Sequence, residues 1–424
     1  MARNTTTEEK GGLIPMTRPA VKDMLQKIDN RAPALSMLEK YYAGLQPLAY
    51  LTPEAREAIG TKFDRLAVNV PRLLVSAISE RLTVSGFDVA GQRSDKLWSL
   101  WTGSDLDQLA AQAHREALVL GSAYALVWAD RRGRPRVTIE SPHSMAVARD
   151  PATGEVVGAV KRWIEPTPDG RTEQSHVVVY RPEEIVHMIG EPLNPTALNA
   201  VRSVPNDLGV VPVVPLVNAD RPGVVDGSSE FADVIGPVDA LNKILADMMV
   251  TSESYARPRR WATGLEVAED DEGNPINPIP ESDKTMISED PETKFGQLSG
   301  AGLDSYRTAV DVIVQSISAV TGLPGHYLGV MTANPASAEQ TRAAEAALTA
   351  KAEARQQAFG RSWEQVGRLM LAVADGHDPE VYDVRVRWAD PSARSVAAEA
   401  DATVKLHNDG VLTDDEARER AGVA

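Results

Sequence analysis

Two long helical periodicities within residues 301–376, joined by a short Pro/Gly loop at Gly322–Pro335, constrain this chain more than any other feature. Leu303, Tyr306, Val310, Ile313, Ile317 and Val320 recur in steps of three and four, which is a heptad seam. Thr321-Gly322-Leu323-Pro324 stops that helix, with glycine as terminator and proline just beyond. The next helix opens at Ser337-Ala338-Glu339-Gln340, a capping box, and runs to about Asp375. Its first half is Ala-rich. Its second half carries Phe359, Trp363, Val366, Met370 and Val373, and Gly360 at the change predicts a kink. The apolar seam of such a helix must be covered, either within the chain or by a neighbouring copy.

A comparable helix precedes this pair. From Ser229, the residues Phe231, Val234, Ile235, Val238, Leu241, Ile244, Leu245 and Met248 follow helical spacing to Arg257-Pro258, and Pro237 is expected to bend the helix. Residues 258–300 between the helices are Pro- and Gly-rich and strongly acidic from Glu266 to Glu272. A stretch of this length reads as a small protruding module or as partly disordered chain.

Upstream, residues 1–18 read as a disordered polar arm. A helical pattern from Pro19 to Leu45 breaks near Pro33. Thr52-Pro53-Glu54 opens another that reaches Arg81, with an interruption or kink at Pro71. Helices follow at Asp95–Trp101 and Ser104–Leu120, the second capped by Ser104. The pattern then becomes alternating and β-branched at Tyr124–Ala129, Arg136–Glu140, Met145–Arg149, Val156–Ile164 and His176–Tyr180, with turns at 150–154 and 168–170. Residues 20–225 are therefore expected to form an α+β domain with an antiparallel sheet. A last strand, Tyr382–Trp388, precedes two short helices, the second opening with Thr413-Asp414-Asp415-Glu416.

Composition narrows function by exclusion. At 424 residues the chain has room for two or three domains, and it contains no cysteine, so thiolate chemistry is impossible. Residues 1–10 are polar and Thr-rich with no apolar core segment, so no signal peptide is expected, and the longest apolar stretch, Leu118–Ala129, is too short to span a bilayer; an intracellular, soluble protein with no membrane partner is expected. The net charge of −16 is opposite in sign to that of a non-specific DNA binder. Such a charge fits plain solubility, or a surface that meets DNA without gripping it.

Motifs for chemistry are missing. There is no P-loop, no HExxH and no GxSxG. Placing Gly273 of Asp270-Asp271-Glu272-Gly273 on the glycine of a calcium loop puts Ala268 and Ile279 where acidic ligands belong. The seven histidines have no ligand or triad spacing, so neither a metal nor a cofactor is expected. One basic cluster, Arg257, Arg259 and Arg260 beside Trp261, is either a set of cations at a helix C-terminus or a contact to phosphate or an acidic partner. Lys243, on the helix before it, is a further candidate of the same kind.

Five strings, in this order, resemble the portal proteins of long-tailed, siphovirus-type bacteriophages. They are Tyr41-Tyr42-Ala43-Gly44 with Pro47-Leu48; Ser141-Pro142 leading to Asp150-Pro151-Ala152-Thr153-Gly154; Val320-Thr321-Gly322-Leu323-Pro324-Gly325-His326-Tyr327-Leu328-Gly329; Asn334-Pro335-Ala336-Ser337-Ala338-Glu339; and Trp388-Ala389-Asp390-Pro391. The resemblance runs from about Pro19 to the C-terminus. It implies a wing at 19–225, stem helices at 226–257 and 301–322, a clip at 258–300, a tunnel loop at 323–336, a long kinked helix at 337–380 shared by wing and crown, and a crown region at 381–424. It further implies a non-enzymatic subunit of a dodecameric ring at a capsid vertex, assembled in the bacterial cytoplasm. Double-stranded DNA would pass through the ring. Its partners would be the large terminase (the packaging ATPase), head–tail adaptors, and the major capsid and scaffold proteins.

On this reading His326, Tyr327, Leu328, Val330, Met331, Thr332 and Asn334 line the channel as a soft, mostly uncharged contact, and the heptad seam packs against neighbouring subunits. The ordinary alternatives are a plain connecting loop and packing within the subunit. A head-completion or scaffold-binding protein without a channel, and a metal-dependent nuclease built from distant carboxylates, also remain open at this point.

Overall fold

A computed structural model describes residues 18–47, 67–167, 170, 172–192, 197–256, 260–264, 290–297, 303–329, 338–392, 403–410, 413 and 417. The polar arm, the helix start at Thr52, most of the acidic 258–300 stretch and the Ser337 capping box lie outside them. The chain divides into two compact units. The first comprises Met1–Gln46, Asn69–Ile235 and Ser318–Ala424; the second comprises Pro47–Val68 and Gly236–Ile317.

The first unit opens with α1 (Arg18–Ala43), which runs unbroken through Pro33. The break expected there is absent. Pro33 lies on the exposed side of the helix, where the carbonyl it leaves unbonded can face water, while Leu25, Ile28 and Leu35 are buried. Helix α2 (Val70–Ser79) starts rather than kinks at Pro71. Residues 67–69 are not helical, the Asn69 side chain accepts a bond from the Arg72 N–H at 3.0 Å, and proline sits in the first turn, where its missing N–H costs nothing. After the short strands β1 (Val84–Val89) and β2 (Gln92–Arg93) come α3 (Asp95–Gly103) and α4 (Leu106–Leu120). Ser104 does not cap α4. Asp105 occupies the cap position with a left-handed φ of 58°, and the buried Ser104 hydroxyl donates to the Pro135 carbonyl at 3.1 Å.

Strands β3 (Ser122–Ala129), β4 (Pro135–Glu140), β5 (Met145–Arg149), β6 (Val156–Pro166), β7 (Glu173–Tyr180), β8 (Glu184–Gly190), β9 (Leu198–Pro205) and β10 (Val213–Val217) follow. They form an antiparallel five-stranded sheet, β5-β6-β7-β8-β9, and a three-stranded sheet, β10-β3-β4. One face of the larger sheet carries α1 through Val21, Met24, Leu25 and Ile28 packed on Ala146, Val160, Val177 and Val179. On its other face, Met145, Val147, Ala159 and Tyr180 meet Tyr124, Leu126 and Val213 of the smaller sheet. Alternation of apolar residues on both faces explains why β6 and β7 are buried at their centres. The expected α+β class with antiparallel sheets is what the structure has.

The second unit holds most of α5 (Ile235–Ala256), the ribbon of β11 (Arg260–Thr263) and β12 (Lys294–Gln297), and the larger part of α6 (Asp304–Thr321). The bend expected at Pro237 does not arise, because a 3-10 turn at Ala232–Val234 precedes the helix and Pro237 falls in its first turn.

Helix α7 (Ala338–Asp375) returns the chain to the first unit, and β13 (Val384–Trp388) pairs antiparallel with β1. Gly360 sits within the unbroken helix. A Cβ there would stand 3.1 Å from Val386 and 3.2 Å from Trp388, so the glycine is needed for close approach of β13. Phe359, Trp363, Val366 and Met370 are fully buried, and Trp363 meets Trp101 edge-on at 5.1 Å. Among the described residues no helix is long and apolar enough to cross a membrane.

Candidate functional site

The loop that follows α6 leaves the helix through a fixed corner. Gly322 adopts φ +70°, a conformation that favours glycine, and Leu323 is buried. The Ser318 hydroxyl donates to the Leu323 carbonyl at 2.6 Å, and the Leu323 N–H donates to the Thr321 hydroxyl at 3.1 Å. Residues Gly325–Leu328 then form a 3-10 turn closed by Gly329 in a left-handed conformation. Three predicted loop residues, His326, Tyr327 and Leu328, lie in this turn. Val330, Met331, Thr332 and Asn334 are outside the described residues.

The turn is tied to two helices by charge. Arg81, just past the end of α2, donates from Nη2 to the Tyr327 hydroxyl at 3.2 Å and to Glu345 Oε2 on α7 at 3.4 Å. Its Nη1 donates to the Ala77 carbonyl at 2.7 Å. The His326 ring nitrogen stands 3.7 Å from Glu345 Oε1. The Arg81 and Glu345 side chains are 11% and 9% exposed, so the pair is nearly out of water, whereas His326 is 47% exposed at its rim. Gln356, also on α7, donates to the Arg81 carbonyl at 3.0 Å and to the Ala389 carbonyl at 3.1 Å.

A second ionic cluster lies further along α7. Arg355 bonds Asp220 at 2.5 Å and Glu230 at 2.8 Å, and Lys351 reaches Glu230 at 3.5 Å. Burial alone would depress the Arg355 guanidinium, but its bonds to Asp220 and Glu230 outweigh that and raise it; the same bond, first among its influences, lowers Asp220.

The predicted seam on α6 divides. Ile317 is buried; Tyr306, Val310 and Ile313 are half-buried; Leu303 and Val320 are exposed. The Tyr306 hydroxyl hydrogen-bonds that of Thr251 on α5 at 2.9 Å. Val312, off the seam, is 58% exposed.

Of the cationic candidates, Lys243 is engaged by Asp247 one turn on. Arg260 begins β11 opposite Gln297, and Arg257 and Arg259 are outside the described residues. A basic patch that the sequence reading passed over is better displayed. Asp130 closes the β3–β4 hairpin by accepting from the N–H groups of Arg132 at 2.8 Å and Arg134 at 2.9 Å. The turn leaves Arg131 and Arg132 exposed, with no counter-ion among the described residues. Four arginines within Arg131–Arg136 of an acidic chain were the available signal.

Among the described residues no group of three or more His, Asp or Glu side chains could hold a metal ion. His114 is fully buried and accepts from Trp363 Nε1 at 2.7 Å; burial depresses its pKa to about 3, and a weak opposing influence of the Leu82 backbone does not offset this. His176 and His187 stand 3.1 Å apart beside Trp163, and His176 reaches Glu165 at 2.9 Å.

A long helix, α6, runs into the corner loop, and a second long helix, α7, holds that loop through Glu345. The family described as "Phage portal protein, SPP1 Gp6-like" matches residues 22–423, and this chain belongs to it. The portal protein of Mycobacterium phage D29 is 32% identical over 384 residues, covering 84% of this chain and 76% of that protein. That of Mycobacterium phage L5 is 31% identical over 429 aligned positions, covering 94% and 84%. Among solved structures, the neck of a native gene transfer agent particle aligns over 94% of this chain and 99% of its own at 13% identity, with a TM-score of 0.49. A chain of the virion of such a particle aligns over the same shares at 13% identity, with a TM-score of 0.47.

Proposed function

We propose that this chain is the subunit of a closed ring at the capsid vertex of a phage, through which double-stranded DNA enters and leaves. Residues 19–225 act as the wing, α5 and α6 as the stem, 258–300 as the clip and 381–424 as the crown region. The loop at 323–336 lines the channel, and α7 backs it. The large terminase docks on the ring during packaging and head–tail adaptors dock later; the major capsid and scaffold proteins hold its rim. Assembly takes place in the host cytoplasm, and the chain needs no cofactor.

Membership of the portal family supports the role. The observation that carries ring formation is the uncovered apolar surface of α6, where Val312 and Val320 are more than half exposed on a helix that leads directly into the loop. A large aliphatic side chain gains about 1.5–3 kcal/mol when fully buried, so covering Val320 at the end of the seam and Val312 beside it by a neighbour is favourable. The net charge of −16 adds with each copy and keeps DNA from adhering. Negative-stain images of the purified protein should show rings with a central hole. Monomers at every concentration would overturn the reading.

A further inference from the structure

We infer that Glu345 and Arg81 are positioning residues that set the place and angle at which the channel loop leaves the body of the subunit. The consequence for DNA rests on the reading of 323–336 as that loop; the positioning itself rests on geometry alone.

Three observations point the same way. First, a carboxylate on an Ala-rich helical segment would ordinarily face water, yet Glu345 is turned inward and nearly buried on the face it shares with buried Leu348, while Ala344, Ala346 and Ala347 beside it are exposed. A buried charge is costly unless paired, and apolar residues would fill such a place without that cost. Ionic groups in such positions fix one geometry where an apolar contact tolerates slippage. Second, the pair does not merely join α2 to α7. Arg81 divides one nitrogen between Glu345 and the Tyr327 hydroxyl, so the turn at 325–328 is a member of the same cluster. His326 adds a fourth group on the other Glu345 oxygen. Third, α7 holds Arg81 at two points. Glu345 takes its side chain and Gln356 its carbonyl, eleven residues on, which is about three turns and the same helix face. The position of Arg81 is therefore registered along α7, and the turn is registered on Arg81.

The loop is thus aimed by α2 and α7 together. Leu323 and the Ser318 hydroxyl fix its first residues, and the Arg81–Glu345 pair fixes the next four.

Hydrogen exchange on full-length protein tests this. Tyr327→Phe removes only the hydroxyl, and Glu345→Gln keeps size and shape while removing the charge. Each should speed exchange of the peptide covering 323–329 by about fivefold, the effect of losing one hydrogen bond that closes a local opening. The double variant should be no faster than the quicker single, because both act through one cluster. Exchange in β3 and β6 and the urea midpoint should stay within error for Tyr327→Phe. Unchanged exchange at 323–329 in both variants would overturn the inference, as would an equal rise across the whole first unit. Ring formation is scored on the same samples. Wild-type protein without rings refutes the portal reading and leaves the exchange result standing; rings with unaltered loop exchange refute the positioning and leave the portal reading standing.

Discussion

Helix α6 and the second half of α7 carry the same kind of apolar stripe in sequence and meet opposite fates. In α7, Phe359, Trp363, Val366 and Met370 are fully buried, on a helix packed against α3 and β13, with Trp101 and Trp363 in edge-to-face contact, His114 of α4 stacked on Phe359, and a hydrogen bond from Trp363 to His114. In α6, only Ile317 and Thr321 are buried, while Val312 and Val320 face outward. Periodicity identifies a stripe; it does not say what covers it. The aromatic stripe of α7 is completed inside one subunit. The α6 stripe has an exposed end at Val320 and an exposed valine beside it at Val312, and on the ring reading proposed above a neighbouring copy covers them. Substitutions on the two helices should accordingly separate folding from assembly.

The largest effect should come from α7. Trp363→Ala empties the centre of the core and leaves His114 without its donor, and should lower unfolding free energy by about 3–5 kcal/mol in urea. A loss below about 1 kcal/mol would mean that the two stripes are not so different. Next is pH. Burial keeps His114 neutral down to about pH 3 in the folded protein, whereas the unfolded chain takes up a proton near the ordinary value of 6.5. The unfolded state therefore binds more protons across that window, and stability should fall as pH drops from about 6.5 toward 3, by about 1.4 kcal/mol per unit. His114→Phe should flatten this acid limb whatever it does to stability at neutral pH. A smaller effect is expected at Gly360→Ala. The added methyl crowds Val386 and Trp388, at about 1–3 kcal/mol, and regains about 1 kcal/mol of helix propensity, so melts should show a net loss of about 1 kcal/mol. On α6, Val312→Asp should change the stability of the single chain by no more than about 0.5 kcal/mol, because the site is exposed.

Much of the fold was legible in the sequence. Long-range order was present in the 3.6-residue spacing, and five of the strands were marked by β-branched alternation at 124–180. Prolines were read unevenly. The break expected at Pro33 and the bend expected at Pro237 are absent, whereas the interruption expected at Pro71 is present as a helix start; one of the three lies within an unbroken helix on its exposed side and two stand in first turns. Position within a helix, which decides the cost, is fixed by packing. Ser104 misled for a related reason: its hydroxyl goes to a strand 31 residues away, a partner that no local pattern reveals. Strand β1 went unread because its partner, β13, lies almost 300 residues downstream.

The candidate site was half legible. Gly322 and Pro324 announced the corner, and His326, Tyr327 and Leu328 lie in the turn after it; the role of the loop in a channel came from the family resemblance and stays a proposal. Glu345 was invisible, since an acid in an Ala-rich helix looks solvated until the fold turns it inward. The Arg131–Arg132 tip has no aromatic residue directly beside it in sequence to mark it, unlike the arginines at 257–260 beside Trp261; its exposure comes from the hairpin that Asp130 closes.

Sedimentation of wild type beside Val312→Asp puts the central claim at most direct risk. Wild-type protein should sediment as one large, closed species, and the variant, with unchanged circular dichroism and urea midpoint, as a single chain. Two proteins that sediment alike, whether both assembled or both monomeric, would contradict it.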